Sequence, residues 1–262
     1  MLYVRKRIAG SGMVGAGAAG EHRRDDVALT RVRNIAAMAL AAGSGATDAI
    51  GYLTLGHVFT SAMTGNLVLL GISLGHRDGE RAGRVLVSLV CFMVGAVLGA
   101  RIARNPKPDD PIWPRPVTRA LALEAVFFAM YAACWWFVSA RPDIAAKVTL
   151  LGLGALALGI QSSAMQRFGV GLNTTFLSGS LTTLVAQLAT GRRFRYVHHH
   201  LLLLAGLVCG GALGALLVLH APMFAPLVQL IPLFGGLGAA VWLGHVERQV
   251  RNKEVSAAVS TA

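Results

Sequence analysis

The chain has 262 residues, of which 55% are hydrophobic and only 14% are charged, and its mean hydropathy is +0.60. Soluble domains carry about 25% charged residues, so this composition excludes an ordinary soluble protein and indicates an integral membrane protein. The net charge of +12 does not indicate nucleic-acid binding, because most Lys and Arg residues lie in the tails and between apolar runs. Cytoplasmic loops of membrane proteins have this bias. The lipid bilayer is therefore an expected partner, and nucleic acid is not.

The first 32 residues are polar, basic and rich in Gly and Ala. They lack the apolar segment and cleavage site of a signal peptide. We expect a flexible basic tail over 1–32, a transmembrane domain over 33–247 and a C-terminal tail over 248–262. No metal-ligand spacing or cofactor motif in its required context is present, so no cofactor or metal ion is expected.

Eight apolar runs follow the N-terminal tail, at about 34–55, 57–75, 84–104, 118–140, 144–166, 172–190, 198–220 and 223–246. A helix needs about 20 apolar residues to cross a bilayer. Six runs are typical of full spans, whereas the second and sixth are shorter in apolar content and carry polar clusters. The sequence predicts an all-α polytopic transmembrane bundle with six full spans and two polar helices that break or re-enter. Eight full spans are the alternative, and the distribution of Lys and Arg favours six only slightly. Either arrangement leaves both termini on one side, which we expect to be the cytoplasm.

The chain repeats itself at a nearly constant offset. Three landmarks recur in the same order: Gly45 and Gly159, Thr60 and Thr174, and the small-residue runs GAVLGA at 95–100 and GGALGA at 210–215. The first two pairs are separated by 114 residues (159−45 and 174−60) and the third by 115 (210−95). We expect two internal repeats, at about 34–104 and 147–220. Weak internal repeats are typical of transporter folds, in which the binding site lies between the repeats near the membrane midplane.

Asp48 is the sharpest single candidate for function, because it lies in the middle of the first apolar run. A charged carboxylate there costs several kcal/mol unless it is paired or faces a polar cavity. Proton relay, cation binding and substrate contact are possible roles. The alternative is a structural one, in which Asp48 accepts hydrogen bonds from the nearby Thr and Asn residues and fixes the packing. Its repeat partner is Ser162, beside Gln161.

Two polar clusters interrupt the apolar pattern, HVFTSAMTGN at 57–66 and NTTFLSGS at 173–180. The spacing of four residues between Thr60 and Thr64, and between Thr174 and Ser178, gives each pair one helix face. Small hydroxyl residues also act as ordinary contacts between membrane helices, but the repeated pattern favours a site. The predicted substrate- or ion-binding residues are Asp48, Thr60, Thr64, Asn66, Gln161, Asn173, Thr174 and Ser178.

Two glycine pairs have the spacing that lets membrane helices approach closely. They are Gly95 with Gly99 in the third run and Gly210 with Gly214 in the seventh. We expect close packing of these helices, in one arrangement against each other. Glu124, early in the fourth run, is expected to lie at the membrane interface and to pair with Arg119.

These motifs resemble the YoaK-like family of bacterial multipass membrane proteins of unknown function. The resemblance is carried by GATDA at 45–49, FTSAMTGN at 59–66, GIQ at 159–161 and NTTFLSG at 173–179, and it covers about 34–246. The Thr-Gly-Asn block with the upstream Asp-Ala is its most specific part. The resemblance implies a multipass protein of the bacterial cytoplasmic membrane, and it brings no activity.

The sequence favours a small secondary transporter or permease, in which Asp48 couples the movement of protons or cations to that of a small polar solute. The alternatives are a membrane scaffold or partner subunit and a lipid-modifying enzyme. An enzyme is less favoured, because no catalytic motif is present. The sequence is compatible with an oligomer and does not define one.

Overall fold

Every regular element in the described part of the chain is a helix, as the sequence predicts. The computed structural model describes the backbone of residues 16–103, 114–138, 142–166, 185–186 and 198–242. Side chains are described for the same residues except 16–30 and 198–200. The predicted sixth run, at 172–190, therefore lies outside the described residues apart from 185–186.

Seven helices of more than one turn are described. They are α1 (Ala16–Thr54), α2 (Met63–Gly75), α3 (Gly79–Ala103), α4 (Arg115–Phe137), α5 (Ile144–Gln166), α6 (His198–His220) and α7 (227–242), with a short 3-10 helix at Pro222–Phe224 before α7. Because α1 begins at Ala16, helical backbone extends into the predicted N-terminal tail. The division into tails and a central domain stays a prediction.

Five helical stretches are long and apolar enough to cross a membrane: Gly79–Ala103, Arg115–Phe137, Ile144–Gln166, Leu201–His220 and Pro222–Trp242. The first predicted span, at 34–55, is helical but does not meet the same criterion. Its inner part consists of Gly, Ala, Ser and Thr, and most of these residues are buried against other helices. The second run forms the 13-residue helix α2. At about 1.5 Å per residue, α2 is shorter than the roughly 30 Å of a bilayer core.

Helix α3 packs against α5 through the first glycine pair. A Cβ atom on Gly99 would lie 2.6 Å from the carbonyl oxygen of Ile160, and one on Gly95 would overlap the carbonyl oxygen of Leu156. The contact moves from Gly95 to Gly99 on α3 as it moves from Leu156 to Ile160 on α5, so the two helices run parallel. Only glycine permits this approach of the two backbones.

Helix α6 packs against α1 in the same way. A Cβ atom on Gly214 would lie 2.7 Å from the carbonyl oxygen of Ala46, and one on Gly210 would overlap the carbonyl oxygen of Ala42. These helices also run parallel. The two glycine pairs therefore do mediate close packing, but the contact of one pair with the other was wrongly predicted. The spacing of the glycines identifies a helix face of small residues, but it does not identify the helix that packs against this face.

Helices α1 and α5 run antiparallel where they meet. The carbonyl oxygen of Leu40 accepts a hydrogen bond from the side-chain amide of Gln161, over 3.4 Å. Further along α1, the methyl group of Thr47 lies 3.6 Å from the position of a Cβ atom on Gly154. Along this contact, the residue numbers of α1 increase in the direction in which those of α5 decrease. Since α3 runs parallel to α5, α1 and α3 are antiparallel to each other.

The two parallel pairs make contacts that correspond residue by residue. Gly45 of α1 faces the carbonyl group of Leu207 and the nitrogen of Gly211, and Gly159 of α5 faces the carbonyl group of Phe92 and the nitrogen of Ala96. Gly159 lies 114 residues after Gly45, and both contacted residues on α6 lie 115 after their counterparts on α3 (207−92 and 211−96). These are the same offsets that relate the sequence landmarks.

Residues 55–75 form a hairpin between α1 and α3. The chain turns at Gly56, which has a φ of +100°, and the following residues run back along α1. The carbonyl oxygen of Val58 comes within 2.9 Å of where a Cβ atom on Gly51 would lie, so α1 needs glycine there. The tip of the hairpin, at residues 60–62, lies beside Asp48. Helix α2 then leads back to the end of the bundle at which α3 begins, so the hairpin enters and leaves on one side.

Candidate functional site

Asp48 holds the tip of the hairpin with both of its carboxylate oxygens. Its Oδ1 accepts hydrogen bonds from the backbone nitrogens of Thr60 and Ser61, each over 2.7 Å, and from the Thr60 hydroxyl over 2.9 Å. Its Oδ2 accepts one from the Ser61 hydroxyl over 2.7 Å. Backbone N–H groups of an irregular segment inside an apolar protein need such acceptors. Residues 60–61 are not helical, so their backbone N–H groups have no carbonyl acceptor within a helix. The Asp48 carboxylate is their acceptor instead.

A second hydroxyl of α1 extends this network. The Oγ atoms of Ser44 and Ser61 lie 2.9 Å apart, and both side chains are buried. A hydroxyl has one hydrogen to donate, and Ser61 gives its hydrogen to Asp48. The Ser44 hydroxyl must therefore be the donor to Ser61. Ser44 and Asp48 lie four residues apart and so hold the tip from one face of α1.

Asn66 joins the irregular first arm of the hairpin to α2 and α3. Its side-chain carbonyl accepts from the backbone nitrogen of Phe59 over 3.0 Å, and its amide donates to the Phe59 carbonyl oxygen over 2.7 Å. The same amide donates to the Ser88 hydroxyl over 3.1 Å, and Ser88 donates to the Phe59 oxygen over 2.7 Å. Asn66 is completely buried, so these bonds satisfy a side chain that would otherwise be costly to bury. They also fix where α2 begins relative to the tip.

The tip contacts α5 as well as α1. The methyl group of Thr60 lies 3.3 Å from where a Cβ atom on Gly154 would lie. The ring of Tyr131 on α4 lies 3.7 Å from the same point. The hairpin tip is thus enclosed by helices from both halves of the chain, with α4 beside it.

The predicted site residues of the first half divide into two groups. Asp48, Thr60 and Asn66 belong to one connected network at the hairpin. Thr64 is exposed on the first turn of α2 and does not join it. The predicted helical pair of Thr60 and Thr64 is wrong, because α2 begins only at Met63.

The second half is described only in part. Gln161 and Ser162 are buried on α5, and Gln161 bonds to α1. Asn173, Thr174 and Ser178 lie outside the described residues. In the part of the chain that is described, no three His, Cys, Asp or Glu side chains lie close enough together to hold a metal ion.

Several polar residues of the core were not singled out from the sequence. Ser44 and Ser88 complete the hairpin network, and a lone serine in an apolar run gives no distinguishing signal. Glu124 was expected at the interface beside Arg119, but its side chain is completely buried, and neither carboxyl oxygen has a hydrogen-bond partner among the described residues. Arg119 is exposed. The packing of α4 against α5, which the sequence does not specify, places Glu124 in the interior.

Comparison with known proteins gives a family and no activity. The family described as "Protein of unknown function (DUF1275)" matches residues 36–239. The chain is 36% identical over 163 residues to the UPF0700 transmembrane protein YoaK of Bacillus subtilis (strain 168), a match that covers 62% of this chain and 69% of that protein. No solved structure matches the chain. The apolar helices and the transmembrane relative identify a membrane protein, and the chain belongs to the DUF1275 family of proteins of unknown function.

Proposed function

We propose that this protein is a small secondary transporter or permease for a small polar solute. The observation that carries the proposal is the polar hairpin tip, which lies between helices α1 and α5 of opposite direction. Secondary transporters commonly bind their substrates at irregular backbone segments near the midplane, between two halves of inverted topology. Irregular backbone at membrane depth is tolerated only where it is buried in protein or lines a cavity.

Two inverted repeats are part of this proposal. The close contacts of α1 with α6 and of α3 with α5 correspond at offsets of 114 and 115 residues, which supports two equivalent halves. The antiparallel register of α1 and α5, the first helix of each half, supports an inverted rather than a parallel relation. It favours six spans with re-entrant hairpins over eight spans, because eight spans would make α1 and α5 parallel.

The distribution of positive charge supports an orientation in the bacterial cytoplasmic membrane. Among the described residues, Arg77, Arg81, Arg84 and Lys147 lie at the end of the bundle at which α3 begins. The opposite end has the basic residues of the first part of α1 and of the facing ends of α3 and α4: Arg23, Arg24, Arg31, Arg33, Arg101, Arg115 and Arg119. Because positive residues favour the cytoplasm, we propose that the hairpin enters from the outside and that both termini are cytoplasmic.

The hairpin network also suggests which solutes would bind. Asp48 is partly exposed, and its Oδ2 accepts only one hydrogen bond, so this oxygen retains free acceptor capacity. The Thr60 hydroxyl donates to Asp48 and can still accept one bond. A small solute with N–H or O–H donors would fit these acceptors. The predicted residues of the second half, Asn173, Thr174 and Ser178, would complete the site.

Uptake into proteoliposomes tests this function. A panel of radiolabelled small polar solutes would be offered to vesicles with and without the protein. Wild-type protein should accumulate at least one solute, and Thr60→Val should lower that uptake about tenfold, the effect of losing roughly 1.4 kcal/mol of binding. Thr64→Val makes the same change on the exposed turn of α2 and should leave uptake unaltered. The proposal fails if no solute moves and Asp48→Asn changes only thermal stability.

One observation favours a second candidate, a membrane scaffold or partner subunit. The described hairpin is bonded to the neighbouring helices, since Ser61 bonds to Asp48 and Ser44 of α1, and Asn66 bonds to Phe59 and to Ser88 of α3. A closed network of this kind is sufficient to hold a fold and needs no ligand. Thermal stabilisation of the purified protein by a solute of the panel would favour the transporter over the scaffold.

A further inference from the structure

In the part of the chain that the structure describes, three fully buried polar side chains have polar atoms without a hydrogen-bond partner. Both carboxyl oxygens of Glu124, the hydroxyl group of Tyr131 and both amide atoms of Gln229 are buried without one. Glu124 is completely buried, and Tyr131 and Gln229 are exposed by only 1% and 3%. Buried polar groups nearly always have partners, so each exception requires an explanation.

Glu124 and Tyr131 lie on one buried face of α4. They are seven residues apart, or two helical turns, and α4 packs against α5. The Tyr131 ring meets Gly154 of α5 where the Thr60 methyl group also meets it. Helices α4 and α5 follow each other through a short connection and so run antiparallel. Glu124 therefore lies two turns from Tyr131 toward the N-terminal end of α4, and so further along α5 than Gly154.

Gln229 is a buried polar residue of α7, as Glu124 is of α4. Three buried positions of the two helices correspond at an offset of 105 residues: Glu124, Phe128 and Trp135 on α4, and Gln229, Leu233 and Ala240 on α7. The backbone of Gln229 lies beside Gly43 of α1, near the middle of the α1–α6 contact. Protonated glutamic acid has nearly the shape of glutamine and, like it, carries no charge. Helix α7 thus holds a neutral side chain of this shape in the interior without a hydrogen-bond partner among the described residues.

A proton is the cation that suits Glu124. Metal cations such as Ca²⁺ and Mg²⁺ require several oxygen ligands, whereas no polar atom of the described residues bonds to Glu124. An unpaired negative charge in this position would cost several kcal/mol. Binding one proton removes the charge without any ligand from the protein.

No charged side chain among the described residues bonds to Glu124 and so compensates a negative charge on its carboxylate. The titratable and charged side chains on α4 and on the helices α3 and α5 that contact it are Tyr131, Cys134, Arg115 and Arg119 on α4, Glu80, Arg81, Arg84, Cys91 and Arg101 on α3, and Lys147 on α5. The 3-10 helix at Pro222–Phe224, which accepts hydrogen bonds from Trp135 and Trp136, and α7 after it carry no such side chain between 222 and 242. None of the side chains on α3, α4 and α5 makes a hydrogen bond or ion pair with Glu124. Arg101, Arg115 and Arg119 are exposed, and Arg84 pairs with Glu80.

We propose that Glu124 is a proton-binding site that exchanges its proton with solvent and is the coupling group of the proposed transporter. The coupling role of Glu124 rests on the proposed transport function, whereas the existence of the proton-binding site is independent of it. Glu124 is neutral while the bundle is closed around it. When water reaches the carboxyl group, the O–H bond breaks, the proton passes to water and the carboxylate remains; the reverse step restores the closed state. Asp48, whose oxygens accept four hydrogen bonds, is assigned to the structure of the hairpin instead.

Infrared spectroscopy of the reconstituted protein tests this site without a transported solute. A protonated carboxylic acid has a C=O stretching band separate from that of a carboxylate. Wild-type protein at neutral pH should show this band, and the band should shift after transfer to deuterium oxide. Glu124→Gln should remove it, whereas the exposed Glu80→Gln and the network variant Asp48→Asn should retain it.

The outcomes separate this proposal from the transporter proposal. A band that persists in Glu124→Gln, or one that does not shift in deuterium oxide, would overturn the exchangeable site. If Glu124→Gln does not fold, wild-type protein grown on glutamate with an isotope label in the side-chain carboxyl group gives the same test, because only a glutamic acid band would move. If the band behaves as expected but no solute is transported, the proton site stands and the transport function fails.

Discussion

Asp48 and Glu124 are both carboxyl groups inside an apolar helical protein, yet their surroundings are opposite. Asp48 accepts four hydrogen bonds from two neighbouring residues of the hairpin, and Glu124 accepts none from the described residues. The first carboxylate compensates backbone groups that the fold leaves without partners. The second makes no contribution of that kind. An intramembrane acidic residue can thus be a structural requirement or a functional cost, and its hydrogen-bond partners distinguish the two.

The largest effect on stability is expected from Asp48→Ala. The backbone nitrogens of Thr60 and Ser61 would lose their acceptor, and each unsatisfied buried group costs about 1–3 kcal/mol. We expect a loss of roughly 2–5 kcal/mol in the free energy of unfolding, measured by chemical or thermal denaturation in detergent. Glu80→Ala, which removes an exposed carboxylate of α3, is the control and should have little effect. Equal stabilities of the two variants would refute the structural role of Asp48.

A smaller loss is expected when the α3–α5 contact is forced apart. In Gly95→Ala, the new methyl group would overlap the carbonyl oxygen of Leu156, and overpacking of this kind costs about 1–3 kcal/mol. Gly83→Ala makes the same change on the same helix, where nothing lies within 4 Å. It should be neutral or stabilising by up to about 1 kcal/mol, because alanine favours helix. Thermal unfolding of both variants measures the difference, and a Gly95→Ala protein as stable as Gly83→Ala would contradict the close packing.

The pair Thr60→Val and Thr64→Val sharpens the description of the hairpin. Thr60 loses its hydroxyl bond to Asp48, which should lower the free energy of unfolding by about 1 kcal/mol. Thr64 is exposed, and its variant should match the wild type. Melting temperatures recorded side by side would give the contrast. A reversed order would mean that Thr64, and not Thr60, belongs to the network.

Glu124→Leu should have the smallest effect on stability and the opposite sign to Asp48→Ala. Glu124 has no partner among the described residues to leave unsatisfied, and replacing a poorly compensated buried polar group by an apolar side chain is often neutral or stabilising. We therefore expect a melting temperature at or above that of the wild type, with Gln229→Leu behaving similarly. A marked loss of stability in Glu124→Leu would indicate a structural partner for Glu124 and would remove the contrast with Asp48.

The sequence predicted the helices better than the contacts between them. Hydropathy identified the helices, and the isolated charge of Asp48 and the polar cluster around it identified the hairpin. The start of α2 was missed because Ala62, at its N-cap position, makes no side-chain capping bond that a sequence pattern could show. The spacing of Gly95 and Gly99 predicted a close contact but not that the partner is α5. Glu124 was misassigned because its burial depends on long-range packing, which local patterns do not encode.

The pairing of α1 with α6 and of α3 with α5 also affects how the chain folds during its synthesis. The first helix finds its closest partner, α6, more than 150 residues later, since Gly45 contacts Leu207. During synthesis, α1 enters the bilayer long before that partner exists, and the face of α1 with Ala42, Gly45 and Ala46, which packs on α6, remains uncovered until then. Contacts between distant residues slow folding. The amino-terminal half would therefore depend on a chaperone, an insertase or surrounding lipid to shield α1 until the carboxyl-terminal half has been translated.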